Sequence, residues 1–474
     1  MSFALDHLNY HNAKIAPSLQ QAVRDIKAIT ANAADINITQ ARISGVGCCI
    51  VSAEGLASSQ LLAESVFQPV MELSPKASGG PRELFKKISQ ESLLAADTKA
   101  AATYGELLHY VFSGFAAVIV DGVPKAAVYG VQGFEKRAVS VPESEQTVSA
   151  AQDSFVEAVR TDISLIRRRM KTPSLRFEMI PVGSLTLTDV CLMYIEGRAD
   201  PRAVDKIRRS LNSVKTDTVL TGERIQPYID ESYRRSIFPS VINTERPDAA
   251  CLYLSEGRVC LLVDGTPFCI VIPTTFGDNF RTMDDLCRKG FYSKCLVLLR
   301  YTAFVLAVVF PGLYVALVMF HPEIFSLKLL LNLAAAEEAT PYPLPVEMTL
   351  LMILFEIMRE AGVRLPKAVG GAVSIVGGLI IGDAAVKSGM VSQPLLIVVG
   401  ITATASFVLP GLYPTVSVLR LVFILAGGTA GLLGITIAAA AVTTNINAMN
   451  DLSVDFTRSL TKQTGREVLA AEKA

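Results

Sequence analysis

Residues 296–320, LVLLRYTAFVLAVVFPGLYVALVMF, are the stretch that decides the fold. The stretch holds one charged side chain, Arg300, close to its start. At a rise of about 1.5 Å per residue, a helix of this length crosses a hydrocarbon core of roughly 30 Å. It therefore predicts a transmembrane helix and separates a polar N-terminal part of the chain from an apolar C-terminal part.

The part that follows this stretch has a membrane-like composition. Of the 44 basic and 44 acidic side chains, only six and seven lie within residues 301–440. Three further apolar segments are candidate spans: 369–386, 394–412 and 416–442. In the last of them, Gly427, Gly428, Gly431 and Gly434 recur at helical spacing, and small residues of this kind let helix backbones approach closely in a membrane.

Two other apolar segments lie between the first two candidate spans. Residues 325–336 are short for a span, and residues 346–360 carry several charges and follow Pro341, Pro343 and Pro345. Such segments are typical of re-entrant or interfacial helices. We therefore predict an α-helical transmembrane bundle of four to six spans or re-entrant segments, interrupted near residues 341–366.

The N-terminal part alternates helix-like and strand-like patterns, which favours two compact α/β (α+β) lobes over a repeat array. Residues 115–120 and 125–129 flank Asp121-Gly122 and predict a hairpin. Residues 92–111 predict a helix, and residues 249–263 a β-meander. The predicted domains are two soluble lobes, a helical membrane domain and a short cytoplasmic tail: 1–145, 146–292, 293–445 and 446–474.

Several features indicate a cytoplasmic soluble part. The first ten residues lack the basic and apolar regions of a cleavable signal, and all eight cysteines precede or begin the first span without metal-ligand spacing, which favours a reducing compartment. Basic residues flank both ends of the apolar part, and the positive-inside rule therefore places both ends in the cytoplasm: Arg288, Lys289 and Lys294 before it, and Arg458, Lys462 and Arg466 after it. A net charge of zero gives no indication of nucleic-acid binding.

Catalytic motifs are absent from the sequence: we find no P-loop, nucleophile motif or metal-ligand spacing, and we expect no catalytic residue, metal or cofactor. The polar residues at membrane depth are the better candidates. Glu356, Arg359 and Glu360 share one helical face, and with Glu347 and Arg364 they are our candidates for an ion pathway or gate. Two interpretations remain open for them, a water-lined conducting surface or interfacial anchors and internal ion pairs; for Asp383 and Lys387 we favour the second.

Several ordered motifs carry a resemblance to a known family. In the apolar part they are PLPVE at 343–347, FEIMREAGVRLP at 355–366 and VGGLIIGDAAV at 376–386; in the polar part they are LIRRR at 165–169, TERPD at 244–248 and EGRV at 256–259. The chain resembles the A subunit of GerA-type spore germination receptors over roughly residues 110–445. The motif residues we assign to assembly are Arg167, Arg168, Glu245, Arg246 and Asp248.

This resemblance implies a non-enzymatic, multi-pass subunit of the spore inner membrane with a cytoplasmic N-terminal domain. It would form homo-oligomers in the bilayer, assemble with a transporter-like B subunit and a lipoprotein C subunit, and contribute to a nutrient-gated ion conduit. The stage V sporulation AF protein is similar throughout, so an accessory germination protein is the alternative. A transporter with its own substrate site is less favoured because no internal repeat is visible, and a membrane-anchored sensor is a third possibility.

Overall fold

The chain consists of two compact units in a computed structural model. The first comprises Met1–Glu231 and Val241–Pro273, and the second Ser232–Ser240 and Thr274–Ala474. The residues that the structure describes are 9–43, 45–64, 68, 80–91, 98–133, 142, 144–230, 233, 236–365, 382–451 and 454–457. Three sets of residues named in the sequence analysis lie outside the described residues: most of the predicted span 369–386, the motif residue Pro366, and the C-terminal cations Arg458, Lys462 and Arg466.

The first lobe of the first unit is built on a five-stranded antiparallel sheet of strand order β1-β2-β4-β5-β3. Its strands are β1 Ile36–Ile43, β2 Val46–Ala53, β3 Thr98–Ala101, β4 Phe115–Val120 and β5 Ala126–Gly130, and its helices are α1 Leu19–Thr30, α2 Ser59–Leu62, α3 Pro81–Lys86 and α4 Tyr104–Val111. Helices α1 and α4 bury their apolar faces on one side of the sheet. All six residues of β4 are buried, because α3 contributes to a second cluster on the other side.

The second lobe carries another five-stranded antiparallel sheet, of strand order β6-β7-β9-β10-β8. Its strands are β6 Leu175–Val182, β7 Thr188–Ile195, β8 Ile242–Thr244, β9 Val259–Val263 and β10 Cys269–Ile272, and its helices are α5 Val159–Arg169, α6 Pro201–Asn212, α7 Gln226–Ile229 and α8 Pro247–Ser255. Helices α5 and α8 cover one face of this sheet. The Asp200 side chain caps α6 by accepting from the Arg202 N–H, as the Asp-Pro sequence predicts.

The two lobes share one topology. In each, a helix precedes a hairpin, a short strand at the edge of the sheet follows, and a second helix leads into a second hairpin that completes the sheet. The strand orders correspond position by position, with β6 to β10 taking the places of β1 to β5. The first unit is therefore a tandem duplication, which the sequence analysis overlooked.

Matching turns support the duplication. The run VDGVP at 120–124 recurs as VDGTP at 263–267, in the turn after the fourth strand of each lobe. Asp121 Oδ1 accepts from the Leu19 N–H at 2.9 Å, and Asp264 Oδ1 accepts from the Val159 N–H at 3.1 Å. Each aspartate thus satisfies the first N–H of the helix that opens its own lobe, one of the four donors a helix start leaves unpaired.

The predicted fold class is confirmed, but two local predictions are wrong. Within the predicted helix 92–111, residues 98–101 are strand β3 because they pair with β5 at the sheet edge, residues 104–111 form helix α4, and residues 92–97 lie outside the described part of the chain. Residues 247–255 form α8 instead of the first strand of a β-meander, since Pro247 starts a helix that packs its alanines on the sheet. The hairpin around Asp264-Gly265 does form, from β9 and β10.

The second unit is helical. Its helices are α9 Met283–Cys287, α10 Gly290–Phe320, α11 Leu327–Glu338, α12 Leu344–Arg364, α13 Gln393–Phe407 and α14 Tyr413–Ala448, followed by the short strands β11 Asn450–Asp451 and β12 Val454–Asp455. Among the described residues, two helical stretches are long and apolar enough to cross a membrane, Gly290–Phe320 and Pro410–Ala448. Arg300, the one charge of the first predicted span, is paired with Asp285 of α9 at 2.5 Å.

Close contact between glycines joins α10 and α14. A Cβ on Gly312 would lie 2.3 Å from the Phe423 carbonyl oxygen, and a Cβ on Gly427 would lie 2.3 Å from the Gly312 carbonyl oxygen. The predicted role of Gly427 in a close helix approach is therefore confirmed. Gly431 has φ 60° and ψ −140° and interrupts α14 with a kink, which the sequence analysis did not predict.

Candidate functional site

A polar cluster centred on Glu356 joins α12 to α14 within the second unit. The Tyr413 hydroxyl lies 2.9 Å from both carboxylate oxygens of Glu356, and the Ser417 hydroxyl donates to Oε1 at 2.5 Å. Tyr413 and Ser417 are one helical turn apart at the start of α14, so both hydroxyls reach the same carboxylate. Glu356 is therefore held in a fixed position by the neighbouring helix.

Two arginines complete this cluster. Arg359 lies one turn further along α12, with Nε 3.2 Å from Glu356 Oε2 and its guanidinium 3.9 Å from the centre of the Tyr413 ring. Arg420 approaches from α14, with Nη1 3.8 Å from Glu356 Oε1, and is only 1% exposed. Its Nε donates to the Ala307 carbonyl oxygen at 3.2 Å. Its Nη2 is buried without a hydrogen-bond partner among the described residues.

The cluster borders a cleft of about 460 Å³. Apolar side chains of α12 and α14 and the polar groups of Glu356, Glu360, Ser417 and Arg420 line this space together. An arginine inside an apolar helix costs about 2.5–3.5 kcal/mol on insertion scales, and such residues usually face water, a pathway or a partner. The arrangement can therefore hold water or an ion beside a paired charge.

The other predicted residues of α12 lie in two separate places. Glu360 and Arg364 form a largely exposed ion pair at 2.7 Å, which contributes about 0–1 kcal/mol at most. Glu347 lies at the opposite end of the helix, 1% exposed, and accepts from the Ser392 N–H at 2.5 Å. The structure thus brings together Glu356 and Arg359, with Glu360 at the edge of the cleft, and separates them from Glu347.

The sequence analysis did not single out Arg420, which lies near the start of the candidate span 416–442. A lone arginine in an otherwise apolar helix was the available signal. Asp383 and Lys387 form an exposed ion pair at 2.6 Å. That geometry supports the interpretation of this second pair as a local ion pair.

In the first unit, the sequence pattern of the basic run at 167–169 by itself favours a solvated helix face, and for Arg167 this prediction is wrong. Arg167 is 1% exposed and forms two hydrogen bonds to Asp35 of the first lobe, at 2.7 and 3.1 Å. Arg168 is 46% exposed and Arg169 pairs with Asp153. Arg167 therefore joins the two lobes of this chain.

The TERPD motif holds the segment that connects the lobes. Glu245 Oε1 accepts from the backbone N–H groups of Ser144 and Glu145 at 2.5 and 2.9 Å. Arg246 pairs with Asp248 at 2.6 Å and donates to the carbonyl oxygens of Glu145 and Ala151. Burial raises the pKa of the Glu145 carboxyl. These contacts lie within the chain, and a role of the motif in assembly stays a prediction.

Comparison with known proteins places these features in a family. The family described as Bacillus/Clostridium GerA spore germination protein matches residues 24–470. Spore germination protein KA of Bacillus subtilis (strain 168) is 32% identical over 448 residues, 93% of this chain and 81% of the relative. The uncharacterized membrane protein YfkQ of the same strain is 34% identical over 415 residues, 86% of this chain and 79% of the relative.

A solved structure is also similar: the crystal structure of the N-terminal domain of the A subunit of the Bacillus megaterium spore germinant receptor GerK3. Its identity to this chain is 28% and the TM-score is 0.45, over 56% of this chain and 98% of that one. The family match spans nearly the whole sequence, including the Glu356 cluster, the TERPD motif and both lobes. This chain belongs to the GerA family of spore germination proteins.

Proposed function

We propose that this protein is the A-type subunit of a spore germination receptor and that its membrane helices contribute to an ion conduit opened by a nutrient. The observation that carries the proposal is the Glu356 cluster: a carboxylate, two arginines and two hydroxyls packed beside a cleft in an otherwise apolar helical unit. Charged groups within apolar helices are costly, and they mark ion pathways and gates in membrane proteins.

The cluster has the features of a gate. Glu356 of α12 contacts three residues of α14: Tyr413, Ser417 and Arg420. Its remaining partner, Arg359, lies on α12 itself. The kink at Gly431 lies further along the same α14, where non-helical backbone is tolerated only inside protein or beside water. A small rotation of α14 would therefore break the contacts to Glu356 and change the charge that faces the cleft.

Membership of the family supports a proposal about subunit partners and location. We propose that the chain is non-enzymatic and spans the spore inner membrane several times, with its duplicated unit in the cytoplasm. The basic residues Arg288, Lys289 and Lys294 ahead of the first predicted span support that orientation. The chain would oligomerise with copies of itself and assemble with a transporter-like B subunit and a lipoprotein C subunit.

Potassium release from spores tests the conduit. Spores of the organism that carries this chain, with the chromosomal copy replaced by Glu356→Gln or Arg420→Gln, are exposed to a nutrient mixture while the potassium electrode signal is followed. Both substitutions unbalance the charges of the cluster, so we expect the rate of nutrient-induced release to change several-fold. Glu360→Gln, at the edge of the cleft, should have a smaller effect.

The control is Asp383→Asn, which removes one charge from the exposed pair with Lys387 and should leave release unchanged. Immunoblots of spore membranes establish that each variant accumulates normally. Unchanged release in Glu356→Gln and Arg420→Gln spores with normal protein levels would refute the assignment of the cluster to the conduit.

A further inference from the structure

Three buried oxygen atoms in the described part of the second unit have no hydrogen-bond partner. Among the described residues, four buried side-chain polar atoms are unpartnered. One is Nη2 of Arg420, in the Glu356 cluster. The others are Oε1 of Glu337, Oε2 of Glu347 and Oγ of Ser392. All three are acceptors of the kind that bind hard cations.

A hydrogen bond places the Glu347 and Ser392 oxygens side by side, and the helix that carries Glu337, α11, packs against α13. The Ser392 N–H donates to Glu347 Oε1 at 2.5 Å. This bond joins the two residues whose other oxygens, Glu347 Oε2 and the Ser392 hydroxyl, are unpartnered. Glu337 lies within electrostatic range of Glu347, and Tyr314 within range of both carboxylates. Four elements therefore converge here: α10, α11, α12 and the start of α13.

Burial makes the unpartnered state costly. Glu347 is 1% exposed and Ser392 is 4% exposed. Ser392 occupies the N-cap position of α13, where its hydroxyl would ordinarily accept from the backbone, yet it makes no such bond. A buried polar atom left unpaired destabilises the fold, and more strongly when it is charged. An occupant that all three oxygens can bind would remove that cost.

The negative charge of Glu337 and Glu347 favours a cation as the ligand of these oxygens. The two carboxylates lie within electrostatic range of each other, and neither has a Lys or Arg partner among the residues that the structure describes. The ligand set consists of oxygen atoms, and the described part of the chain brings no three His, Cys, Asp or Glu side chains together. Oxygen ligands of this kind suit Mg²⁺ and Ca²⁺, whereas zinc sites use nitrogen and sulfur.

We propose that Glu337, Glu347 and Ser392 bind a divalent cation, Mg²⁺ or Ca²⁺, where α11, α12 and α13 meet. The ion neutralises both carboxylates and ties the start of α13 to α12. The site is separate from the Glu356 cluster, and its occupancy is measurable whether or not the chain conducts ions.

Metal uptake by the full chain tests the site. The protein is reconstituted in phosphatidylcholine nanodiscs, stripped with a chelator, and dialysed against CaCl₂ or MgCl₂; bound metal is then counted by elemental mass spectrometry against empty nanodiscs. We expect saturable uptake of a single ion per chain. Glu347→Gln should weaken affinity at least about tenfold, and Ser392→Ala, which keeps the backbone donor, should weaken it less.

Glu338→Gln is the matched control, because Glu338 is a neighbour of Glu337 on the same helix, and it should bind metal like the unsubstituted chain. If Glu347→Gln does not accumulate, Glu337→Gln takes its place in the test, because Glu337 is less buried and also contributes a carboxylate to the site. Uptake no greater than that of empty nanodiscs would show that water fills the place and would overturn the proposal. Equal uptake in the unsubstituted chain and the carboxylate variant would overturn it too, as would binding of Na⁺ or K⁺ with no uptake of either divalent ion.

Discussion

Replacing Arg167 by Ala should destabilise the first unit strongly. The guanidinium forms two hydrogen bonds to Asp35, donates to the carbonyl oxygens of Thr172 and Leu175, and lies 4.6 Å from the ring centres of Phe112 and Phe177. Asp35 and Phe112 belong to the first lobe and Phe177 to the second. One side chain thus satisfies a buried carboxylate and fills the space between two aromatic rings.

The size of the effect follows from burial. The side chains of Arg167 and Asp35 are 1% and 2% exposed, so the substitution leaves a carboxylate buried without its cation. Breaking a buried ion pair in this way costs about 3–5 kcal/mol. With a denaturant slope of about 2–3 kcal/mol per M, the urea midpoint should fall by about 1–2.5 M. Replacing both residues, as Arg167→Met with Asp35→Leu, should cost less than the sum of the two single changes.

The measurement is urea unfolding of residues 1–273, which contain all of the first unit, followed by circular dichroism. The control is Arg168→Ala, one position along the same helix, where the side chain is 46% exposed and lies 3.9 Å from Asp153. An exposed pair of this kind contributes about 0–1 kcal/mol. If Arg167→Ala and Arg168→Ala shift the midpoint equally, Arg167 does not hold the lobes together and the reasoning fails.

Three further predictions concern the duplication, a buried acid and the glycine contact. Asp121→Ala and Asp264→Ala should each lower the free energy of unfolding by about 0.5–2 kcal/mol in the same urea assay, because both aspartates accept from the first N–H of a helix. Losses that differ widely would argue against equivalent roles. Burial raises the pKa of Asp162 to about 8, so its contribution to stability is full below about pH 4 and is lost as the pH rises through 8. The free energy of unfolding should therefore decline by up to roughly 4 kcal/mol between pH 5 and pH 9, and Asp162→Asn should remove that decline. An equal decline in both proteins would contradict this prediction. Gly427→Val should lower the thermal midpoint of the detergent-solubilised chain, because the new Cβ would meet the backbone of α10. Gly400→Val should not lower it, because the space around that Cβ is open. Equal midpoints for the two variants would rule out the close contact.

The sequence contained the duplication, but comparing hydrophobic patterns did not reveal it. The repeated VDGxP turn at 120–124 and 263–267 is visible in the letters alone. The flanking strands differ in almost every residue, because a buried strand requires apolar side chains of fitting volume and not particular ones. A search for repeated turn residues, whose backbone demands are specific, would have found the two lobes.

Local errors have the same origin. Residues 98–101 and 247–255 are both short and rich in alanine, and a short apolar run does not distinguish a strand from a helix by periodicity. Strand β3 exists because β5 offers it an unpaired edge. Helix α8 exists because its apolar side packs on the second sheet next to α5. Both outcomes depend on neighbours far away in the chain.

The sequence by itself determined the apolar C-terminal half, the first membrane helix, the Asp-Gly hairpins, the family and the charged face of α12. Those features are local, since hydropathy, helical spacing and turn chemistry act within a few residues. Only the tertiary structure decided that Arg420 meets Glu356, that Arg167 is buried against Asp35, and that Glu347 adjoins Ser392. The partners in each of these pairs lie far apart in the chain, and whether a charge is solvated or buried depends on which surface folds over it, which no local pattern specifies.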